Sequence, residues 1–568
     1  MNKIISKILF VLLLVFSVSC SEDFLETENK NQLTVENFYK TQQDFWMGLN
    51  SLYPPLADRG MFGLEWHFLF NSFDDRILFE TTGLDQISIN ASNESVSSNW
   101  RALYFGLYRT NVFIKAIQES DEIEGFPADM RNNYLAQARA LRGTYLFYLV
   151  TLYNEPIFYD EHSIPTDLIG NLTNGKPEEF WDLLAEDFLF GIQNNYLPMQ
   201  YPPEDAGRVT KGAAQAMFGK AMLYKHYHYY VRKGKKGSAE DIHDLQLAKD
   251  MFKEMINSGQ YELIQPKEPK TREDYIHAVL CNFSYVDLPA GKNIYPSENN
   301  RESVWEIQYS DERIASGHLP GWQWSGALNV NYFSAHPSSY RNHEAHPDLF
   351  MAYETEGAPD GFERDPRAYA TLFFDGDRID FRTGSPYENT TYRSGIHNKR
   401  IAYSRGLIQY PATHPSRGFG IKKYYFPVYY EKDAPKNDPI NRNMIRYSDV
   451  LLMFAEVTYL LNENTTEGLN ALNVVRRRVD MPDVPALTKE AIIHERDVEL
   501  ALEGWRWHDL IRWSFDPEWG IDWVQILGRQ TGTDDYGTYF IKGKHEYLPI
   551  PISEINKHEG QLKQNPGW

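Results

Sequence analysis

A chain of 568 residues has ample length to bury one large core or two or three ordinary ones. Its net charge of -21 argues against nucleic acid as a partner, since phosphate binding needs a basic surface and the one basic cluster, R-K-G-K-K at 232–236, suits a solvated loop. Cys20 and Cys281 are the only cysteines, so a disulfide framework is excluded once Cys20 is modified, and stability must come from packing.

In chain order, Lys3 and Lys7 precede the apolar run 8–16, and Ser17, Val18, Ser19 and Cys20 follow. This is the layout of a secretory signal ending in small residues, with a run too short to span a bilayer comfortably. The junction resembles a lipobox, in which the Cys20 thiol takes the lipid and becomes the first mature residue; Ser17 stands where Leu is usual. Residues 24–33 are polar and acidic and read as a tether. The spacing of Phe38, Phe45, Leu49 and Leu52 then predicts a helix, capped from 34–37 and stopped by Pro54 and Pro55.

A less regular stretch at 56–98 holds Trp66, His67, Asp74, Asp75 and Arg76. Helical periodicity returns from Trp100 and again at 136–156, which reads A-Q-A-R-A-L-R-G-T-Y-L-F-Y-L-V-T-L-Y-N-E-P and ends in a proline stop. At 207–224 the small residues Gly212, Ala213, Ala216 and Gly219 predict a face that another helix approaches closely, as in tetratricopeptide-like stacking without a strict 34-residue period. Between 261 and 441 the periodicity fades and Gly, Pro, Asn and aromatic residues crowd together; irregular structure of that length usually serves function. Within it, N-R-E-S-V-W-E-I-Q-Y at 300–309 predicts a strand, and G-H-L-P-G-W-Q-W-S-G at 317–326 a Gly-bounded loop.

Helices resume at 446–461 and 467–478, followed by E-R-D-V-E-L-A-L-E-G-W-R-W-H-D-L-I-R-W at 495–513. On a helix its apolar groups point nearly all the way round, so it is expected to be buried, with Arg496 to Glu499 and Glu503 to Arg506 pairing on neighbouring turns. Gly504 is expected to break it. The tail, Y-L-P-I-P at 547–551 through Q-N-P-G-W at 564–568, has the prolines of an extended strap rather than another helix.

The chemistry offered is that of a binder rather than an enzyme. Glu495, Glu499 and Glu503 share an i, i+4 face, as a glycosidase pair would, but on an apolar helix beside arginines they suit a buried ionic lattice. His343, Glu344, Ala345 and His346 lack H-E-x-x-H spacing, and a Walker loop, G-x-S-x-G and C-x-x-C are absent. Flat aromatic faces with planar polar groups fit sugar rings. Trp322 and Trp324 are the foremost candidates; one of them plugging its loop onto the helices is the structural alternative. Trp66, His67, Asp74, Asp75, Arg76 and Tyr295 are further ligand candidates, for which core packing and a local salt bridge are equally open. No metal or cofactor is expected, although the loop carboxylates leave structural calcium open; no loop has EF-hand spacing.

The helices at 100–111, 136–156, 207–224 and 467–478, the strand at 300–309, the 495–513 stretch and the Y-L-P-I-P and Q-N-P-G-W ending together resemble the SusD/RagB family of Bacteroidota surface lipoproteins. Ser21, Glu22 and Asp23 after Cys20 resemble that group's acidic surface-export signal. The resemblance implies a mostly α, SusD-like fold of degenerate tetratricopeptide-like helix pairs, with a loop-rich region of short strands. It divides the chain into a signal peptide (1–19), a lipidated tether (20–33), an N-terminal helical part (34–260), a loop-rich ligand-binding part (261–441) and a C-terminal helical part with strap (442–568). It further implies an outer-membrane, cell-surface protein that captures oligosaccharide or polysaccharide and passes it to a SusC-like TonB-dependent transporter. An oligopeptide receptor of the same family, a glycoside hydrolase and a protein-docking scaffold are the alternatives, and no residue selects a particular sugar or linkage.

Overall fold

The structure, a computed structural model, describes residues 38–79, 87, 89–165, 170, 172–284, 298–309, 343–374, 377, 419–424, 440–523, 526 and 540–568. Cys20, Tyr295, Trp322 and Trp324 lie outside the described residues.

The N-terminal helices are α1 (Gln42–Asn50), α2 (Glu65–Phe73), α3 (Glu94–Glu119), α4 (Ala128–Tyr153), α5 (Pro177–Gln193), α6 (Lys211–Lys225) and α7 (Ala239–Asn257). The shorter α8 (Arg272–Leu280), α9 (Pro347–Ala352) and α10 (Arg367–Thr371) lie among the strands. The chain closes with α11 (Tyr447–Leu461), α12 (Thr465–Arg477), α13 (Lys489–Glu499), α14 (Trp505–Ser514) and α15 (Ile552–Lys557).

A ladder runs through the molecule in which α3 packs on α4, α4 on α5, α5 on α6, α6 on α7, α7 on α11 and α11 on α12. This is the helix-pair stacking expected from the small-residue faces. Gly106 of α3 lies against the Tyr145 ring and Gly219 of α6 against the Phe252 ring; a Cβ there would come within 2.3 and 2.5 Å of ring carbons. The helices interlock because these positions lack a side chain.

Polar contacts fix the register. Arg142, in the A-L-R-G run of α4, is fully buried and donates to Asp187 of α5 at 2.7 and 2.8 Å and to Asn111 of α3 at 2.8 Å, with Glu161 as a further partner. A buried guanidinium holds position only when its charge and donors are met, and here three consecutive segments meet them.

The strands are β1 (Ile77–Phe79), β2 (Ser303–Ile307), β3 (His343–Ala345), β4 (Leu372–Phe373), β5 (Gly420–Ile421) and β6 (Arg442–Arg446). They form antiparallel pairs β1 with β3, β2 with β6 and β4 with β5. In β2, Val304, Trp305, Glu306 and Ile307 are all buried, so both strand faces are covered.

The tail is a strap. Leu548 N donates to Leu152 O at 2.8 Å and Asn565 Nδ2 to Tyr153 O at 3.0 Å, tying the last residues to the C-terminal end of α4, and Ile552 N donates to Ala91 O at 2.8 Å, just ahead of α3. The strap is interrupted by α15, a turn and a half that the prolines alone did not announce.

Two further boundaries differ from expectation. The helix ending before Pro54 starts at Gln42, where Thr41 and Asp44 form a capping box. The 56–98 stretch contains α2, which is buried on nearly every side, its polar Glu65, His67, Asn71 and Ser72 included, and also the short strand β1.

Candidate functional site

The candidate residues at 66–76 all point inward. Trp66 is 1% exposed, stacks on His508 with ring centroids 4.8 Å apart and donates through Nε1 to Glu503 O at 3.2 Å. Asn71 grips the same turn from the other side, its Nδ2 donating to Leu502 O at 3.0 Å and its Oδ1 accepting from Gly504 N at 2.8 Å. Trp66 therefore seals the joint between α13 and α14, and in this conformation no sugar ring reaches its face. His67 is buried against Tyr424, and burial, then Arg442, holds its imidazole well below its ordinary pKa and so neutral.

Asp75 accepts from Arg506 at 2.9 and 3.1 Å, and Arg76 donates to Asp497 at 3.0 Å. Burial raises the Asp75 carboxyl, but Arg506 and Arg76 outweigh it and hold it below the usual range. Asp74 accepts from Arg76 N at 2.8 Å and is pushed well up by burial and then by the Asp75 charge. Asp75 and Arg76 thus lock the turn after α2 onto α14 and α13, and Asp74 closes the turn itself.

The lattice expected around Glu495, Glu499 and Glu503 is present, with different partners. Glu499 accepts from Arg478 at 2.7 and 2.6 Å, from Arg446 at 2.6 Å and from Arg367 at 3.1 Å. Glu503 accepts from Arg446 at 2.9 and 2.8 Å and from Lys423 at 2.9 Å, and Glu495 from Arg476 at 3.0 Å. Arg496 turns to Asp509 at 2.7 Å and Asp449 at 2.8 Å rather than to Glu499. Glu503 lies beyond the end of α13 and so is not one helical turn from Arg506, while Arg496 is drawn to Asp449 and Asp509; the carboxylates meet cations from β6, α10, the C-terminal end of α12 and the segment after β5 instead.

Gly504 is the break, with φ at 84°, and a Cβ there would lie 2.6 Å from Trp66 Nε1. Gly504→Ala is expected to cost about 1–3 kcal/mol through left-handed strain, with the clash adding to it. Thermal unfolding followed by tryptophan fluorescence measures the cost, and an unchanged midpoint would show that the turn relaxes freely.

His343 to Ala345 form β3, and His346 caps α9 by accepting from Asp348 N at 3.1 Å. Among the described residues no cluster of three or more His, Cys, Asp or Glu could hold a metal.

The described residues do form one roomy surface cleft, of about 620 Å³. It lies between the 199–210 loop, the 259–261 turn and the 298–306 segment that opens β2. Tyr201 and Tyr261 offer half-buried rings and Gln200 and Gln260 exposed amides, while the Asn299 amide is closed on that of Gln308 at 3.0 Å in both directions. At its floor Trp305 Nε1 donates to Gly207 O at 3.0 Å, and Glu306, raised by burial, accepts from Asn299 N and Asn441 Nδ2, each at 3.0 Å. Sequence reasoning marked 300–309 as a strand and passed over the 199–210 loop, whose only local signal is the Tyr-Pro-Pro run.

A helical ladder strapped by its own tail, with short two-stranded pairs beside it, is the architecture of SusD-like proteins. A SusD homolog from Bacteroides thetaiotaomicron superposes with a TM-score of 0.71 at 20% identity, covering 95% of this chain and all of that one. Surface glycan-binding protein A from Bacteroides thetaiotaomicron, in complex with laminarihexaose, superposes with a TM-score of 0.65 at 20% identity over 93% of this chain and all of that one. SusD-like protein P25 of Formosa agariphila is 24% identical over 97% of this chain and 96% of its own length. Residues 301–568 match the family model described as SusD family, and the solved structures along nearly the whole length give the chain a SusD-like fold.

Proposed function

We propose that this protein is a cell-surface glycan receptor, lipidated at Cys20, that captures oligosaccharide or polysaccharide for a SusC-like TonB-dependent transporter. The carrying observation is the SusD-like fold along nearly the whole chain, shared with a relative whose structure holds laminarihexaose. Trp322, Trp324 and Tyr295, in the loop-rich part, are the proposed ring-stacking contacts.

The lattice supports binding over hydrolysis. A glycosidase sets two carboxyl groups across the scissile bond with room for sugar or water between them. Glu495, Glu499 and Glu503 are at most 4% exposed, and guanidinium groups enclose them. No helix among the described residues is long and apolar enough to cross a membrane, so membrane residence would rest on the lipid at Cys20.

Affinity electrophoresis against a broad polysaccharide panel, with isolation of the native complex, tests this reading. Retardation by at least one glycan and co-purification of a β-barrel transporter are expected. Binding to none of the panel, with no barrel in the complex, overturns it. Cys20→Ser is expected to move the protein from the outer-membrane fraction to the soluble fraction, which cell fractionation reads directly.

A further inference from the structure

We propose that the cleft between the 199–210 loop, the 259–261 turn and the 298–306 segment binds a stretch of neutral glycan, as a position additional to Trp322 and Trp324. The inference rests on the receptor reading above and adds a second point of contact to it.

Size comes first. About 620 Å³ lies in the middle of the roughly 300–1,000 Å³ range of small-molecule sites and suits several pyranose rings. The lining has the right chemistry. Tyr201 and Tyr261 supply flat faces for sugar C–H groups, while each planar amide of Gln200 and Gln260 pairs donors with an acceptor, matching neighbouring hydroxyls.

The charges on the walls are already matched to one another. Arg208 donates to Asp205 at 2.6 Å and to Asn50 at 2.9 Å, and Arg301 to Glu262 at 2.5 Å and to Gly259 O at 2.6 Å. An anionic ligand would have to take one of these cations from its present partner, whereas a neutral ligand leaves both pairs intact. A wholly apolar ligand would strip water from the amides without replacing their hydrogen bonds.

The walls are also held in place. Trp305 ties β2 to the 199–210 loop through Gly207 O, and Tyr261 stacks on Tyr447 with ring centroids 6.1 Å apart and planes 26° apart. A cleft braced this way loses little freedom on binding, so weak stacking and hydrogen bonding suffice to hold a ligand. Two weak positions on one chain would hold a polymer far longer than either alone.

The test uses the mature chain and the neutral probes laminarihexaose, maltohexaose and xylohexaose. For whichever probe binds, calorimetry is expected to find two molecules per chain in the wild type and one in Tyr201→Ala. Gln200→Ala/Gln260→Ala, which changes only exposed side chains, is expected to weaken the same position at least tenfold. Hydrogen exchange adds a readout independent of those variants: amides at 199–208 and 259–261 are expected to slow at least threefold with probe present, also in Trp322→Ala/Trp324→Ala. A single wild-type site that disappears in the tryptophan variant, with cleft amides unprotected, overturns the cleft proposal and leaves the receptor reading standing. Binding to none of the probes and to no polysaccharide overturns both.

Discussion

Glu499→Gln is expected to lower folding stability by about 3–5 kcal/mol, because it removes the charge that three buried guanidinium groups share. Arg446, Arg478 and Arg367 are each at most 2% exposed, so none can turn to water when the carboxylate is gone. Attraction alone does not set the size of the effect. Burying the ions is costly, and the loss measured on breaking a pair is mostly the penalty of the cations left behind. The exposed pair Lys211 and Glu254, at 3.1 Å, provides the contrast: Glu254 is 54% exposed at its side chain, and Glu254→Gln is expected to cost less than about 1 kcal/mol. Urea unfolding followed by fluorescence and circular dichroism compares the two, and equal costs would refute the lattice as the element that locks β6 to α13.

The pH dependence of that gap has a definite sign. Burial raises the Glu499 carboxyl, but Arg478, Arg446 and Arg367 outweigh it and hold its folded-state pKa well below the ordinary 4.5. A depressed folded pKa contributes stability that is complete above the unfolded value and is lost as pH falls through the folded one. The difference between wild type and Glu499→Gln should therefore be level from about pH 6 to 8 and shrink in acid.

What the sequence showed and what it hid divide along physical lines. The helix at 136–153 was legible because a long period, small residues and a proline stop agree, and the packing of Gly219 on Phe252 follows from the absence of a side chain. The strap was legible from its prolines. The partners of Glu499, Glu503 and Arg496 were not, since Arg367, Lys423 and Asp449 respectively lie far from them along the chain, and local spacing carries no information about contacts at that range. Trp66 illustrates the same limit. Beside His67 and close to Asp74 it resembles a binding cluster, yet Trp66 closes on the turn before Gly504, more than four hundred residues away along the chain, while Asp75 and Arg76 close on Arg506 and Asp497. The cleft is not legible in the sequence because its walls come from three separated segments, none of which marks a binding site alone.

Trp322→Ala/Trp324→Ala is expected to weaken glycan binding by about 2–3 kcal/mol, a factor of roughly 30 to 150, if each indole stacks on one sugar ring. The unfolding midpoint should stay near the wild-type value, since these residues act on the ligand rather than on the helical ladder. Trp66 separates the two roles: it is enclosed by Phe62, Phe70, Tyr148, Trp505 and His508, so Trp66→Ala is expected to cost about 3–5 kcal/mol of stability, with ligand affinity falling only as the fold fails. Calorimetry with a retained glycan and thermal unfolding on the same samples distinguish them. Full affinity in the double variant, with the cleft variants also silent, would place the sugar contacts on other residues; a wild-type chain that retains no glycan at all would instead move it from sugar receptor to protein-docking scaffold.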